Sequence, residues 1–130
     1  MKNRSFLDKT FNLDKKIILV TGATGQLGYT ICKAFINVGA KVIGVDLELN
    51  EKKMIKDNNV QYFTIDISKQ RSISKIFNLI FEKHKRLDVL INNAGVNTFE
   101  PFHKRTDEQF DFVMDVNLKG TFNCIKNYYR

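Results

Sequence analysis

Three glycines spaced three residues apart, in the run Thr21-Gly22-Ala23-Thr24-Gly25-Gln26-Leu27-Gly28, are the residues of this sequence with the clearest chemical meaning. Glycine lets the chain turn sharply and lets backbone N–H groups approach a bound anion closely. The run follows the aliphatic stretch Ile17–Val20 and precedes a helical pattern. A helix N-terminus there would add about half a positive charge at the same point. Such a loop suits a pyrophosphate. Asp46 stands eighteen residues past Gly28, at the end of the next β-rich run. A carboxylate at that place suits the paired hydroxyls of an adenosine ribose. Glycines alone can make a plain tight turn, and an aspartate alone can cap its own turn. The strand before, the helix after and the acid at this distance together favour dinucleotide binding.

Asp46 also bears on which dinucleotide is bound. A 2′-phosphate within ~4 Å of it would meet repulsion of several kcal/mol even at an effective dielectric near 20. The next residues, Leu47, Glu48 and Leu49, bring no cation to offset that charge. The expected cofactor is therefore NAD rather than NADP.

Other chemically suggestive residues carry less. Tyr29 and Lys33 have the Tyr-x-x-x-Lys spacing of an acid/base pair. They fall in the first helix, directly behind the phosphate loop, where no substrate carbonyl could reach a nicotinamide. His84 and His103 have no metal-ligand company, so no metal site is expected. Cys32 and Cys124 are far apart with no Cys-x-x-Cys grouping, and are expected as buried, reduced thiols of a cytoplasmic protein.

The elements that must position the loop and the acid follow from hydrophobic periodicity. Ile17–Val20 reads as a strand covered on both faces, and Val42–Val45, ending at Asp46, as a second. Val60–Ile65 and Leu87–Ile91 follow as the third and fourth. Leu27, Ile31, Phe35 and Val38 recur at near-helical spacing, with Gly39 where a C-cap wants a left-handed residue. A short polar helix is expected near Asn50–Lys56. Ser68 is expected to cap a helix whose Ile73, Ile76, Phe77 and Ile80 share one face. Thr106-x-x-Gln109 reads as a capping box ahead of one long helix carrying Phe110, Val113, Met114 and Val116.

Strands alternating with helices imply a parallel sheet with right-handed crossovers, a doubly wound, three-layer α/β/α domain. The strand order expected is 3-2-1-4, with a cofactor crevice between the first and fourth strands. Residues 1–14 are read as an N-terminal arm, and 15–130 as a Rossmann-type NAD-binding domain.

The chain has 130 residues, 43% of them hydrophobic, with eleven phenylalanines, which excludes a disordered tail and fits one domain. No apolar run approaches the ~20 residues of a membrane helix. Met1–Asp14 has neither an apolar signal core nor a cleavage site, so secretion is not expected. The formal charge is +7, but the basic residues are scattered and not interleaved with aromatics. A lysine-rich solvated surface is expected rather than nucleic-acid binding.

Asp66-Ile67 after the third strand, Asn92-Asn93-Ala94-Gly95 after the fourth, and Asp115-Val116-Asn117-Leu118-Lys119-Gly120-Thr121 in the last helix complete a pattern. With the glycine loop, they resemble the short-chain dehydrogenase/reductases in order and spacing, from about Leu13 to Arg130. The resemblance implies that Gly22, Gly25, Gln26, Leu27 and Gly28 line the pyrophosphate and nicotinamide side. It implies Asp66 and Ile67 at the adenine, and Asn93, Ala94 and Gly95 beside the cofactor where the fourth strand ends. Asn117 resembles the asparagine of the family's Asn-Ser-Tyr-Lys tetrad, whose backbone carbonyl holds a water in a proton relay. By the same resemblance, a full-length relative would be a homo-oligomer acting on an alcohol or carbonyl.

Two features depart from the family pattern. The compact branch places a glycine at the position of Gln26. The Thr-Gly-x-x-Gly-x-x-Gly spacing seen here is that of the extended, nucleotide-sugar-modifying branch. The family's serine and Tyr-x-x-x-Lys acid/base set also finds no counterpart: the last serine is Ser74, and no lysine follows Tyr128 and Tyr129. The expectation is the cofactor-binding half of the fold, C-terminally incomplete after its last helix, with Val89, Leu90 and Ile91 as an exposed edge. Three readings stay open: an NAD-dependent oxidoreductase acting on an alcohol or carbonyl, with sugars or polyols suggested by Phe11–Lys16; a non-catalytic dinucleotide-binding module or inactive fragment; and a nucleotide-sugar epimerase or dehydratase.

Overall fold

A computed structural model describes residues 12–129; most of the predicted N-terminal arm, residues 1–11, lies outside the described residues. Four parallel strands, β1 (Ile17–Thr21), β2 (Lys41–Asp46), β3 (Val60–Thr64) and β4 (Val89–Ile91), form one sheet in the order β3-β2-β1-β4. This is the doubly wound order expected. β1 is buried at every position, which is why its sequence is an unbroken aliphatic run: both of its faces meet apolar layers. Ile17 and Leu19 point into one core with Ile43, Val45, Ile73, Phe77 and Ile80. Ile18 and Val20 point into the other with Val42, Ala23 and Cys32.

Helix α1 (Gln26–Asn37) follows β1 through the glycine run and packs on β1 and β2. Its inward face centres on Gly28 and Cys32, flanked by Ile31, Phe35 and Ile36. Leu27, counted on that face from its spacing, is instead 69% exposed, and Val38 is also exposed. The tight seat of Gly28 on the loop rotates the apolar stripe so that Leu27 falls outside it. Gly39 has φ +91°, the left-handed stop expected.

The segment from Asn50 makes only one 3₁₀ turn, Glu51–Lys53, in place of the polar helix expected to Lys56. Asn50 caps it by accepting from Lys52 N–H at 3.1 Å. The chain turns extended at Met54, and Ile55 then packs on the core from outside the helix.

Helix α2 (Gln70–His84) buries Ile73, Ile76, Phe77 and Ile80 as expected, but its N-cap is Lys69, without a side-chain bond. Ser68 does not cap it. Ser68 donates from its amide and hydroxyl to Asp66 Oδ1, at 2.9 and 2.7 Å, because a charged acceptor two residues back outcompetes the helix amides.

The single C-terminal helix expected is three consecutive segments: α3 (Asp107–Met114), a π-helical stretch Asp115–Gly120, and α4 (Thr121–Tyr128). The capping box at Thr106 and Gln109 is present. The widened turn coincides with Gly120, where an added Cβ would lie 3.0 Å from the Ile67 side chain. The helix therefore passes directly over the loop that follows β3.

The fourth strand is shorter than predicted, Val89–Ile91, with Leu87 buried just before it. It is an edge strand of the sheet, as expected, but its side chains are half-buried rather than exposed. Leu90 packs on one core, and Val89 and Ile91 on the other. Cys32 and Cys124 are buried and free, as expected.

Candidate functional site

Because all four strands run the same way, their C-terminal ends meet along one edge of the sheet. The order switches there between β1 and β4, and a cleft of about 560 Å³ opens at that point. The glycine turn, Asp46, Ile65 to Lys69 and Asn93 to Val96 all line it.

The wall at the switch point is braced by Asn93. Its Nδ2 donates to the carbonyls of Thr21 and Gly22, both at 3.0 Å, and its amide donates to Thr21 Oγ1 at 3.0 Å. Ala94 N–H donates to the same hydroxyl at 3.0 Å. The ends of β1 and β4 are thereby tied together beyond the last ladder bond. Gly22 has φ +63°, and a Cβ on it would sit 2.9 Å from Ala94 Cα, so only glycine fits between the strand ends. Asn93 is thus a brace of the cleft wall.

Gly25 is the N-cap of α1, without a side-chain cap and with no acid in the first turn. The first amides of a helix lack intrahelical partners, so those of Gln26 and Leu27 are left for a ligand, and both residues line the cleft. Gly28 does not line it. It lies buried behind the loop, where a Cβ would fall 1.9 Å from Gly22 carbonyl O. Its part is close packing of α1 under the turn. These features fit a pyrophosphate: amides without competing acceptors, the positive end of a helix, and backbone packing that admits no side chain.

Asp46, at the end of β2, and Asp66, just past the end of the neighbouring β3, both line the cleft. Asp46 Oδ1 accepts from Leu47 N–H at 2.9 Å, so it does cap its own turn. Its Oδ2 accepts from the amide and hydroxyl of Thr24 at 3.0 and 2.9 Å. Asp66 is tied to Ser68, and Ile67, almost fully buried, forms the floor under Gly120.

Asn117 lies in the π-helical stretch and does not line the cleft itself. Its side chain grips the cleft-lining Val96, accepting from its N–H at 2.8 Å and donating to its carbonyl at 2.9 Å. Tyr29 and Lys33 are also outside the cleft lining, as expected, and Tyr128 spends its hydroxyl on the Asp88 carbonyl at 3.0 Å. Phe112, Asp115 and Val116 also line the cleft; Asp115 and Val116 open the Asp115–Thr121 segment that carries the family resemblance, and Phe112 alone had no part in it. Its i, i+3, i+4 spacing with the other two was the available signal. Among the described residues no cluster of His, Cys, Asp or Glu could hold a metal, and no helix is long and apolar enough to cross a membrane.

A family model described as short chain dehydrogenase matches residues 16–130. An NAD-dependent glycerol dehydrogenase of Listeria innocua is 32% identical over 118 residues, covering 88% of this chain and 46% of the relative. A 3-oxoacyl-[acyl-carrier-protein] reductase of Thermotoga maritima is 31% identical over 117 residues, covering 85% of this chain and 48% of the relative. A crystal structure of a short chain dehydrogenase from Leptospira borgpetersenii with bound NAD+ is 35% identical. It superposes with a TM-score of 0.88 over 100% of this chain and 50% of that one. The chain spans about half the length of the curated relatives it matches.

Proposed function

This chain belongs to the short-chain dehydrogenase family, and from that premise we propose that it binds NAD in the cleft and serves hydride transfer between an alcohol and its carbonyl. The observation that carries the cofactor choice is Asp46, a carboxylate lining the cleft at the end of β2. It accepts ribose hydroxyls and repels a 2′-phosphate. The nicotinamide dinucleotide supplies the hydride chemistry when bound. The protein's own groups bind and orient. Gln26 and Leu27 amides hold the pyrophosphate, Asp66 and Ile67 border the adenine, and Ala94 and Gly95 border the cofactor where β4 ends. Asn117 keeps Val96 in place beside them. The relatives named for glycerol and for 3-oxoacyl thioesters support a substrate with a secondary alcohol or a ketone.

A second reading is a binding module that does not turn over. It is favoured by one observation: no tyrosine lines the cleft among the described residues. Calorimetry with NAD and NADP on the wild-type chain and Asp46→Ala tests the cofactor assignment. Tighter binding of NAD, lost in the variant, is expected; equal affinity for the two dinucleotides overturns it. Turnover of alcohols, glycerol included, with NAD separates the enzyme from the module.

A further inference from the structure

Thr24 lies in the turn between β1 and α1, 4% exposed, and is not part of the cleft surface. Its bonds nonetheless decide how Asp46 is presented. The Thr24 amide and hydroxyl both donate to Asp46 Oδ2. A hydroxyl has one proton, and the charged carboxylate at 2.9 Å takes it in preference to the Glu48 carbonyl at 3.4 Å. The hydroxyl oxygen in turn accepts from Asn50 N–H at 3.2 Å, so both of its functions are engaged. With Leu47 N–H on Oδ1, three protein donors already reach the carboxylate. A carboxylate offers about four acceptor positions, so the position left over is on Oδ1.

We propose that Thr24 is a positioning residue for dinucleotide discrimination: its hydroxyl pins Asp46 Oδ2 to the phosphate turn and reserves Oδ1 for one ribose hydroxyl. The proposal rests on the reading of Asp46 as the ribose ligand. The turn that takes the pyrophosphate and the acid that takes the ribose are then held by one residue, whose backbone belongs to the first and whose side chain fixes the second. Without the hydroxyl, only the amides of Thr24 and Leu47 hold the carboxylate, its terminal torsion is less restrained, and it presents its charge less sharply to a 2′-phosphate.

The test is calorimetry with NAD and with NADP on the purified chain, its Thr24→Val and Thr24→Ser variants, Asp46→Asn, and the double variant Thr24→Val/Asp46→Asn. Thr24→Val should weaken NAD binding roughly three- to tenfold, less than a whole hydrogen bond to a charged group because the Thr24 amide still reaches Asp46 Oδ2, and narrow the NAD preference. Thr24→Ser should restore both. In the Asp46→Asn background Thr24→Val should change little, whereas a role confined to holding the turn would act equally in both backgrounds. Should Thr24→Val not fold, Thr24→Cys, close to serine in size but a feeble donor, replaces it in the comparison. A wild-type chain with no NAD preference overturns the cofactor assignment itself. A wild-type preference that survives loss of the hydroxyl, or an undiminished loss in the Asp46→Asn background, overturns the role of Thr24 alone.

Discussion

The side chain of Asn117 closes two hydrogen bonds on the single backbone unit of Val96, accepting from its amide and donating to its carbonyl. The carboxamide offers an acceptor and a donor side by side, which here meet the N–H and the C=O of one residue, on two successive peptide groups. The contact joins the π-helical stretch to the loop leaving β4, two segments that share no ladder. Asn117→Asp should lose the donating half and set an anion against the Val96 carbonyl. A destabilisation of roughly 1–2 kcal/mol is expected, together with faster hydrogen exchange at the Val96 amide. Unchanged exchange at that amide would mean the clamp is not formed in solution.

Two glycines lining or underlying the same site should respond oppositely to alanine. At Gly28 a Cβ would lie 1.9 Å from a backbone carbonyl oxygen, and backbone cannot yield as a side chain can. Gly28→Ala should lose several kcal/mol of about the size seen for overpacked cores. At Gly95 the nearest atom to an added Cβ is Asn117 Oδ1 at 3.5 Å, an ordinary contact. Gly95→Ala should keep wild-type stability. Urea denaturation of the two variants in parallel checks the contrast.

Asp88 gives the fold a pH dependence of known sign. It accepts from the Arg86 guanidinium, from Ile17 N–H at 2.9 Å and from Lys16 Nζ at 3.4 Å, joining the starts of β1 and β4. Hydrogen bonds from Arg86 first, then the Ile17 amide and Lys16, hold its carboxyl down to about 2, against the opposing effect of burial. A folded value below the unfolded one means the stabilisation is complete above about pH 4 and is lost as pH falls toward 2. Half of the Arg86 side chain is open to water, so screening keeps the effect modest. Asp88→Asn should be less stable at neutral pH and show a shallower loss between pH 4 and 2. Identical acid profiles in the two proteins would contradict this.

The thiols should be silent in the native state. Burial pushes both Cys32 and Cys124 up to about 11, and both are all but sealed from solvent. A thiol-specific dye is expected to label neither quickly in buffer and both in denaturant. Fast native labelling of either would show that its helix opens locally.

Thr106→Ala removes the acceptor for Gln109 N–H, at 3.3 Å, and one half of a reciprocal cap. A loss of about 1 kcal/mol is expected, read from the thermal midpoint. No change would place the start of α3 under tertiary control.

The capping box and the left-handed Gly39 were legible because each depends on residues three or four apart. The expected helix at Asn50–Lys56 and the cap at Ser68 were misread for a related reason. Their residue types allow those structures, but Asp66 was the stronger competitor for Ser68, and no residue of Glu51–Lys53 is buried. Thr24 and the grip of Asn117 on Val96 had no local signal at all. Their partners lie about twenty residues away along the chain, at the end of another element.

Residue type and spacing by themselves determined the alternation of strands and helices and the glycine turn, since hydrophobic period and glycine placement act over a few neighbours. The strand order and its switch point followed from the doubly wound fold those signals match. Tertiary structure alone decided which acceptor each polar group found: Thr24 on Asp46, Asn93 on Thr21 and Gly22, Asn117 on Val96. Those choices are made by competition among groups that only the folded sheet brings within 3 Å. The cleft is built from that competition as much as from the glycine turn that marks it in the sequence.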